Sequence, residues 1–269
     1  MNIARCRWVV LGLLSLSVAA CEDPPKAEQK PPEETAAAKG PPPTIPTPTP
    51  APSSAPPSAP KAKKQLADCP KGAVVFEQKA VEDEVRRKVQ KPTGDITAAD
   101  LKKLKSFNLS QVKGIEQLDV CIFAHTTNLK ELFLGEGSFE DLSPLASATQ
   151  LESLRASINQ VSDLKPLSKM KKLDRLDLGR TQVKDLGPLA ELTAITELSL
   201  DGTPVEDIAP LAKLTQLETL SLKGTKVKDL SPLEGLKKLK SVDGRDTPAD
   251  EDPMNFAKLR GRGVKIVNQ

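Results

Sequence analysis

The sequence predicts an α/β solenoid, a stack of short repeats whose strands line up in one parallel sheet. Three observations predict it. Residues 129–238 hold one 22-residue pattern written five times without a gap. Each copy places apolar residues at its first, fourth and sixth positions, such as Leu129, Leu132 and Leu134 or Leu173, Leu176 and Leu178. The last two alternate at period two, which marks a short strand with one buried face. A third signal returns at fixed phase: Asp141, Asp163, Asp185, Asp207 and Asp229 each open an Asp-apolar-x-Pro-Leu segment. A period of this length is the mark of a repeat architecture. No copy can bury its own ladder, so each stacks on the next.

After the strand, each copy turns through Gly, Asn or Thr, as at Gly179–Arg180–Thr181 or Gly202–Thr203–Pro204. A β-branched or aromatic residue follows (Phe139, Val161, Val183, Val205, Val227), and then the Asp. That Asp is expected to be the N-cap of a short helical turn. Pro144, Pro166, Pro188, Pro210 and Pro232 then fall in its first turn, where a missing N–H costs nothing.

The pattern LxxLxLxx(N/T)x(V/I)xDLxPLxx, kept in phase through five copies, resembles the 22-residue leucine-rich repeat of internalin-like bacterial proteins. With caps the resemblance covers roughly Cys69 to Gln269. It implies a curved solenoid with parallel strands on the concave face and short helical (3-10) turns on the convex face. It also implies a helical N-terminal cap and protein recognition on the concave side. One departure is the ninth position, where Thr181, Thr203 and Thr225 stand in place of the usual Asn. Asn159 alone keeps it, so a weaker side-chain ladder is expected there.

From the start of the chain, residues 1–20 read as a lipoprotein signal peptide. Arg5 and Arg7 supply the basic region, and Trp8 to Val18 an apolar stretch too short for a stop-transfer span. Val18–Ala19–Ala20–Cys21 resembles the bacterial lipobox, which implies acylation at Cys21; the plainer reading is a secretory signal cut after Ala20. Residues 21–65 form a Pro-rich linker that holds most of the chain's 24 prolines and almost no large apolar side chain. Such a composition favours an extended, solvated spacer with a reach on the order of 100 Å. Residues 66–103 read as the N-terminal cap. Phe76, Val81, Val85 and Val89 lie at near-helical spacing, and Asp95 or Thr97 is placed to cap a second helix. Residues 104–238 hold the repeats, the first irregular and lengthened to 25 residues. Residues 239–269 hold a degenerate last copy and a C-terminal cap, with GVKIV at 263–267 as a closing strand.

The net charge is +3, and removing Arg5 and Arg7 leaves 37 basic against 36 acidic residues. A mixed, near-neutral surface argues against nucleic acid as a partner. If Cys21 is acylated, Cys69 and Cys121 remain as a pair in an oxidising compartment, either bridged or as two buried thiols. The one histidine, His125, reads as a surface residue rather than a base. No nucleophile motif, phosphate loop or metal-ligand spacing appears, so neither an enzyme nor a cofactor is expected. The Asp column could be imagined as a metal ladder, but its place before each Pro-Leu turn favours capping.

What remains is the outward sheet face at the third and fifth positions. Its candidate partner-binding residues are Glu131, Phe133, Arg155, Arg175, Asp177 and Glu197. Phe and Arg often anchor interfaces. The competing reading is a cross-strand charge lattice that keeps the face soluble. The expectation is a monomeric, lipid-anchored cell-envelope protein that meets a protein or peptide ligand through its concave face. The alternative is a structural envelope protein that self-associates without a specific ligand there.

Overall fold

The computed structural model describes residues 69, 72–112, 114–115 and 117–268. All of the described residues fall within one compact unit, 60–269. Cys21 and the linker lie outside them.

Eight strands of three residues each form one parallel sheet in sequence order: β1 (Ser106–Asn108), β2 (Glu131–Phe133), β3 (Ser153–Arg155), β4 (Arg175–Asp177), β5 (Glu197–Ser199), β6 (Thr219–Ser221), β7 (Ser241–Asp243) and β8 (Lys265–Val267). The pairing never slips. Phe107, Leu132, Leu154, Leu176, Leu198, Leu220, Val242 and Ile266 stand opposite one another as a single row. All but Ile266 are buried. The first-position residues from Leu129 to Leu239 and the sixth-position residues from Leu134 to Leu222 complete the core beside that row. A one-residue shift would turn the whole row outward, so burial fixes the register.

Each full repeat returns through a 3-10 turn: Ser143–Ser147, Lys165–Lys169, Gly187–Leu189, Ala209–Lys213 and Ser231–Leu233. The Asp column caps these turns, one residue earlier than the sequence reading placed it. The half-in residue is the buried apolar one that follows (Leu142, Leu164, Leu186, Ile208, Leu230). Each Asp Oδ1 instead accepts the backbone N–H two residues on, at 2.7–2.9 Å. The tight turn needs an apolar side chain at its entry to fill the core. The polar cap is therefore displaced to the residue before, as an Asx turn.

The ninth-position column shows why Asn and Thr differ. Thr181, Thr203 and Thr225 are buried, and each donates its hydroxyl to the carbonyl three residues back in its own turn. Asn159 reaches across to the previous repeat. Its Nδ2 donates to Gly135 O (2.9 Å), and its Oδ1 accepts from Phe139 N (3.2 Å), besides local bonds to Ala156 O and Ser157 O. Gly135 itself has φ 75, and a Cβ there would sit 2.5 Å from Ser110 Cα, so only glycine fits. Asn159→Ala orphans buried backbone groups in two repeats, at about 1–3 kcal/mol per group. Asn159→Thr should lose less, because threonine restores the local bond. Urea midpoints check the order; equal losses would contradict it.

At the N-terminal end, α1 (Lys79–Val89) buries Val81 and Val85 at a spacing of four. Phe76 precedes this helix and packs against the core with Val89. The helix carries Arg86, Arg87 and Lys88 in its last turn, where cations oppose the helix dipole. Helix α2 (Ala98–Leu101) begins with a capping box between Thr97 and Asp100. Helix α3 (Val120–Phe123) takes the place of a 3-10 turn in the lengthened first repeat, and Phe123 packs on Phe107 at 6.1 Å between ring centroids. Cys121 of α3 is bonded to Cys69.

Asp100 is the buried carboxylate of the cap. It accepts from Lys91 (2.9 Å), Lys103 (2.9 Å), Thr97 N (3.1 Å) and Thr97 Oγ1 (3.0 Å). The hydrogen-bonded lysines, Lys91 first, hold its carboxyl well below the ordinary 3.8. A depressed folded-state value stabilises above about pH 4, and that gain is lost as pH falls toward the folded value. Asp100→Asn should thus cost stability at neutral pH and much less in acid. Equal losses in urea unfolding at both would contradict the assignment.

The C-terminal end holds one helix that the sequence reading did not find, α4 (Pro253–Gly261), between β7 and β8. Asp252 caps it through Met254 N (2.9 Å), and Phe256 and Leu259 bury beneath it. The basic residues in its last turn and just after it are a clamp as well as a solvated face. Arg262 donates to the carbonyls of Glu234 (2.5 Å) and Leu236 (2.6 Å), and Lys258 pairs with Glu234 at 2.8 Å. Among the described residues no helix is long and apolar enough to cross a membrane.

Candidate recognition face

In each strand the middle residue points into the core, so the residues on either side of it stand on the outward face. Parallel in-register pairing therefore sets Glu131, Ser153, Arg175 and Glu197 in one row across the sheet. Phe133, Arg155 and Asp177 form a second row beside it. All six residues proposed from the sequence lie on this face.

Phe133 is half-buried, and the Arg155 guanidinium lies over its ring, 5.6 Å from the centroid. Such a contact is worth about 0.5–1 kcal/mol at an exposed site. Arg175 is exposed, and its nearest charged group is Asp174 at 3.8 Å. Asp177 Oδ1 is taken by the N–H of Gly179 at 3.0 Å, which closes the turn after β4. Glu131 and Glu197 are exposed. Among the described residues no ion pair joins any two of the six. The adjacent Arg155 and Asp177 are each held elsewhere, one by Phe133 and the other by the turn.

A charge ladder does exist, one position earlier in the repeat. Lys130 pairs with Glu152 at 2.7 Å and Lys240 with Glu218 at 2.6 Å, while Thr196 Oγ1 donates to Asp174 at 2.5 Å. At the far end of the face Asp243 is closed by Arg245, Oδ1 to Nε at 3.0 Å and Oδ2 to Nη2 at 2.6 Å. That guanidinium holds the Asp243 carboxyl below its ordinary value.

Two adjoining hollows lie over the face. One is lined by Glu131, Phe133, Ser153, Arg155 and Arg175, and the other by Ser153, Arg155, Arg175, Asp177, Glu197 and Ser199. The two arginines belong to both and so sit at the centre of the groove. The first hollow also includes Lys88 of α1, whose Nζ meets Ser106 Oγ at 3.3 Å. Sequence reasoning missed Lys88 because it lies outside the repeat period. Its spacing of seven from Val81 and three from Val85 puts a lysine on the apolar stripe of α1, which was the available signal that the end of that stripe opens to solvent. His125 is half-buried in the turn after α3, away from these hollows. Among the described residues no three His, Cys, Asp or Glu side chains gather as metal ligands would.

Comparison with known proteins agrees with this geometry. The leucine-rich-repeat family, in its two-copy form, matches residues 149–191 and 193–235. No curated protein matches the chain. Among solved structures, internalin C2 of Listeria monocytogenes is similar at 25% identity and TM-score 0.56, over 71% of this chain and 92% of that one. The Listeria internalin inlF is similar at 22% identity and TM-score 0.53, over 70% and 68%. A leucine-rich-repeat protein of Leptospira interrogans follows at 21% identity and TM-score 0.50, over 62% of this chain and 49% of its own. These last two likenesses speak to the fold alone. Five in-phase repeats, one in-register sheet with 3-10 returns and these likenesses give the described region the fold of a leucine-rich-repeat solenoid, similar to that of internalin C2.

Proposed function

We propose that this chain is a non-enzymatic recognition protein of the cell envelope. Its repeat face binds a protein or peptide partner, and Cys21 holds it to a membrane through acyl chains. Leucine-rich-repeat proteins of internalin type typically act by protein–protein contact, and this chain shares their architecture. The observation that carries the reading is the state of the outward face. Phe133, Arg155, Arg175, Glu131 and Glu197 gather over one groove, and no ion pair couples any two of them. A face built for solubility alone would be expected to show the pairing that the second-position column shows. The anchor rests on the sequence pattern at Cys21, and the linker sets the distance from the membrane.

Cross-linking capture from intact cells tests the binding half. A Phe133→Ala, Arg155→Glu, Arg175→Glu variant with an unchanged thermal midpoint should lose a partner that the wild type captures. Capture of the same partner by both would reject the face as the binding site. Release of a Cys21→Ser variant from the membrane fraction tests the anchor separately.

A further inference from the structure

The chemistry of the partner can be read one step further, on the understanding that the sheet face is the recognition surface. The hollow nearer the N-terminal cap is lined by three cationic side chains, Lys88, Arg155 and Arg175, against one carboxylate, Glu131. The cations are not consumed by the fold. Among the described residues Arg155 makes no ion pair or hydrogen bond, Arg175 approaches Asp174 at 3.8 Å, and Lys88 meets a neutral hydroxyl.

The excess is local. In the adjoining hollow the same two arginines face Asp177 and Glu197, and farther along Asp243 is closed by Arg245. A concave surface with surplus charge of one sign focuses its potential on an incoming group of the other.

Arg155 is also held in place. Its guanidinium lies over Phe133, directly opposite it in register, which lowers the ordering cost of a new contact. All five of its N–H donors remain available for a planar, bidentate acceptor.

We propose that the partner presents an extended, acidic peptide segment to this hollow. A carboxylate seats between Arg155 and Arg175, and an aliphatic neighbour lies against Phe133. A peptide fits better than an acidic polysaccharide. Phe133 is the one aromatic among the outward strand residues, and the described chain has neither Tyr nor Trp on which sugar rings could stack.

The test uses the full chain and a labelled octapeptide that alternates glutamate with alanine, beside its glutamine counterpart. Fluorescence anisotropy at low salt should show the glutamate peptide binding about tenfold more tightly, a preference that weakens as salt screens it. Arg155→Met with Arg175→Met should abolish the preference. Arg155→Lys keeps the charge but not the fork, and should keep only part of the preference, which serves if the double variant is unstable. Equal binding of the two peptides would overturn the proposal, as would a preference that survives in both variants. Tighter binding of a uronic-acid oligosaccharide than of the glutamate peptide would overturn the choice of peptide. A natural partner that docks on the face through a segment without carboxylates would reject this inference and leave the recognition reading standing.

Discussion

Leu176→Ala should cost about 2–5 kcal/mol, seen as a lower urea midpoint with little change in slope. Leu176 is buried in β4, in register between Leu154 and Leu198. Truncating it leaves a void that neither neighbour can fill, because each rung is already fixed by its own backbone pairing. In a solenoid the damage is local, since each repeat touches only the next. Amide exchange should therefore rise most in the strands beside β4 and least in β1 and β8. A uniform rise along the array would contradict nearest-neighbour stabilisation.

The second large effect belongs to the bond between Cys69 and Cys121. It closes a loop with a sequence separation of 52, and loop-closure entropy puts its contribution at about 4 kcal/mol. Cys121 is buried in α3, so the bond ties the chain entering the cap to the first irregular repeat. Replacing both cysteines by serine should lower the thermal midpoint, with α1 and α2 losing exchange protection before the regular repeats. An unchanged midpoint in the double variant would show that packing of Val81, Val85 and Leu101 suffices to hold the cap.

Much of this fold could be read from the chain because a solenoid converts sequence period directly into spatial period. Leu132, Leu154 and Leu176 recur every 22 residues, and that spacing alone places them opposite one another. The closing strand β8 was equally legible from Val264 and Ile266. Features outside the period were not. Helix α4 lies in the degenerate last copy, where no repeat phase marks it. Lys88 reaches the groove only because α1 packs beside β1.

The recognition face was legible as a set of positions but not as a set of pairings. Opposite charges on adjacent strands, Arg155 and Asp177, suggest a salt lattice. The structure gives Arg155 to Phe133 and Asp177 to a turn N–H. Competition for a side chain among a ring, a backbone donor and an opposite charge is settled by local geometry, which the spacing of residues does not encode. The Asp column shows the same limit on a smaller scale. Its capping role follows from residue type, and its exact offset follows from which side chain the core needs.

The most direct test of the recognition face is a photoreactive side chain placed at exposed Glu197 on the sheet face and, separately, at exposed Lys169 on a 3-10 turn. Irradiation in cells should yield a discrete partner adduct from position 197 and none from position 169. An adduct from position 169 alone, or none from either, would contradict recognition through the sheet.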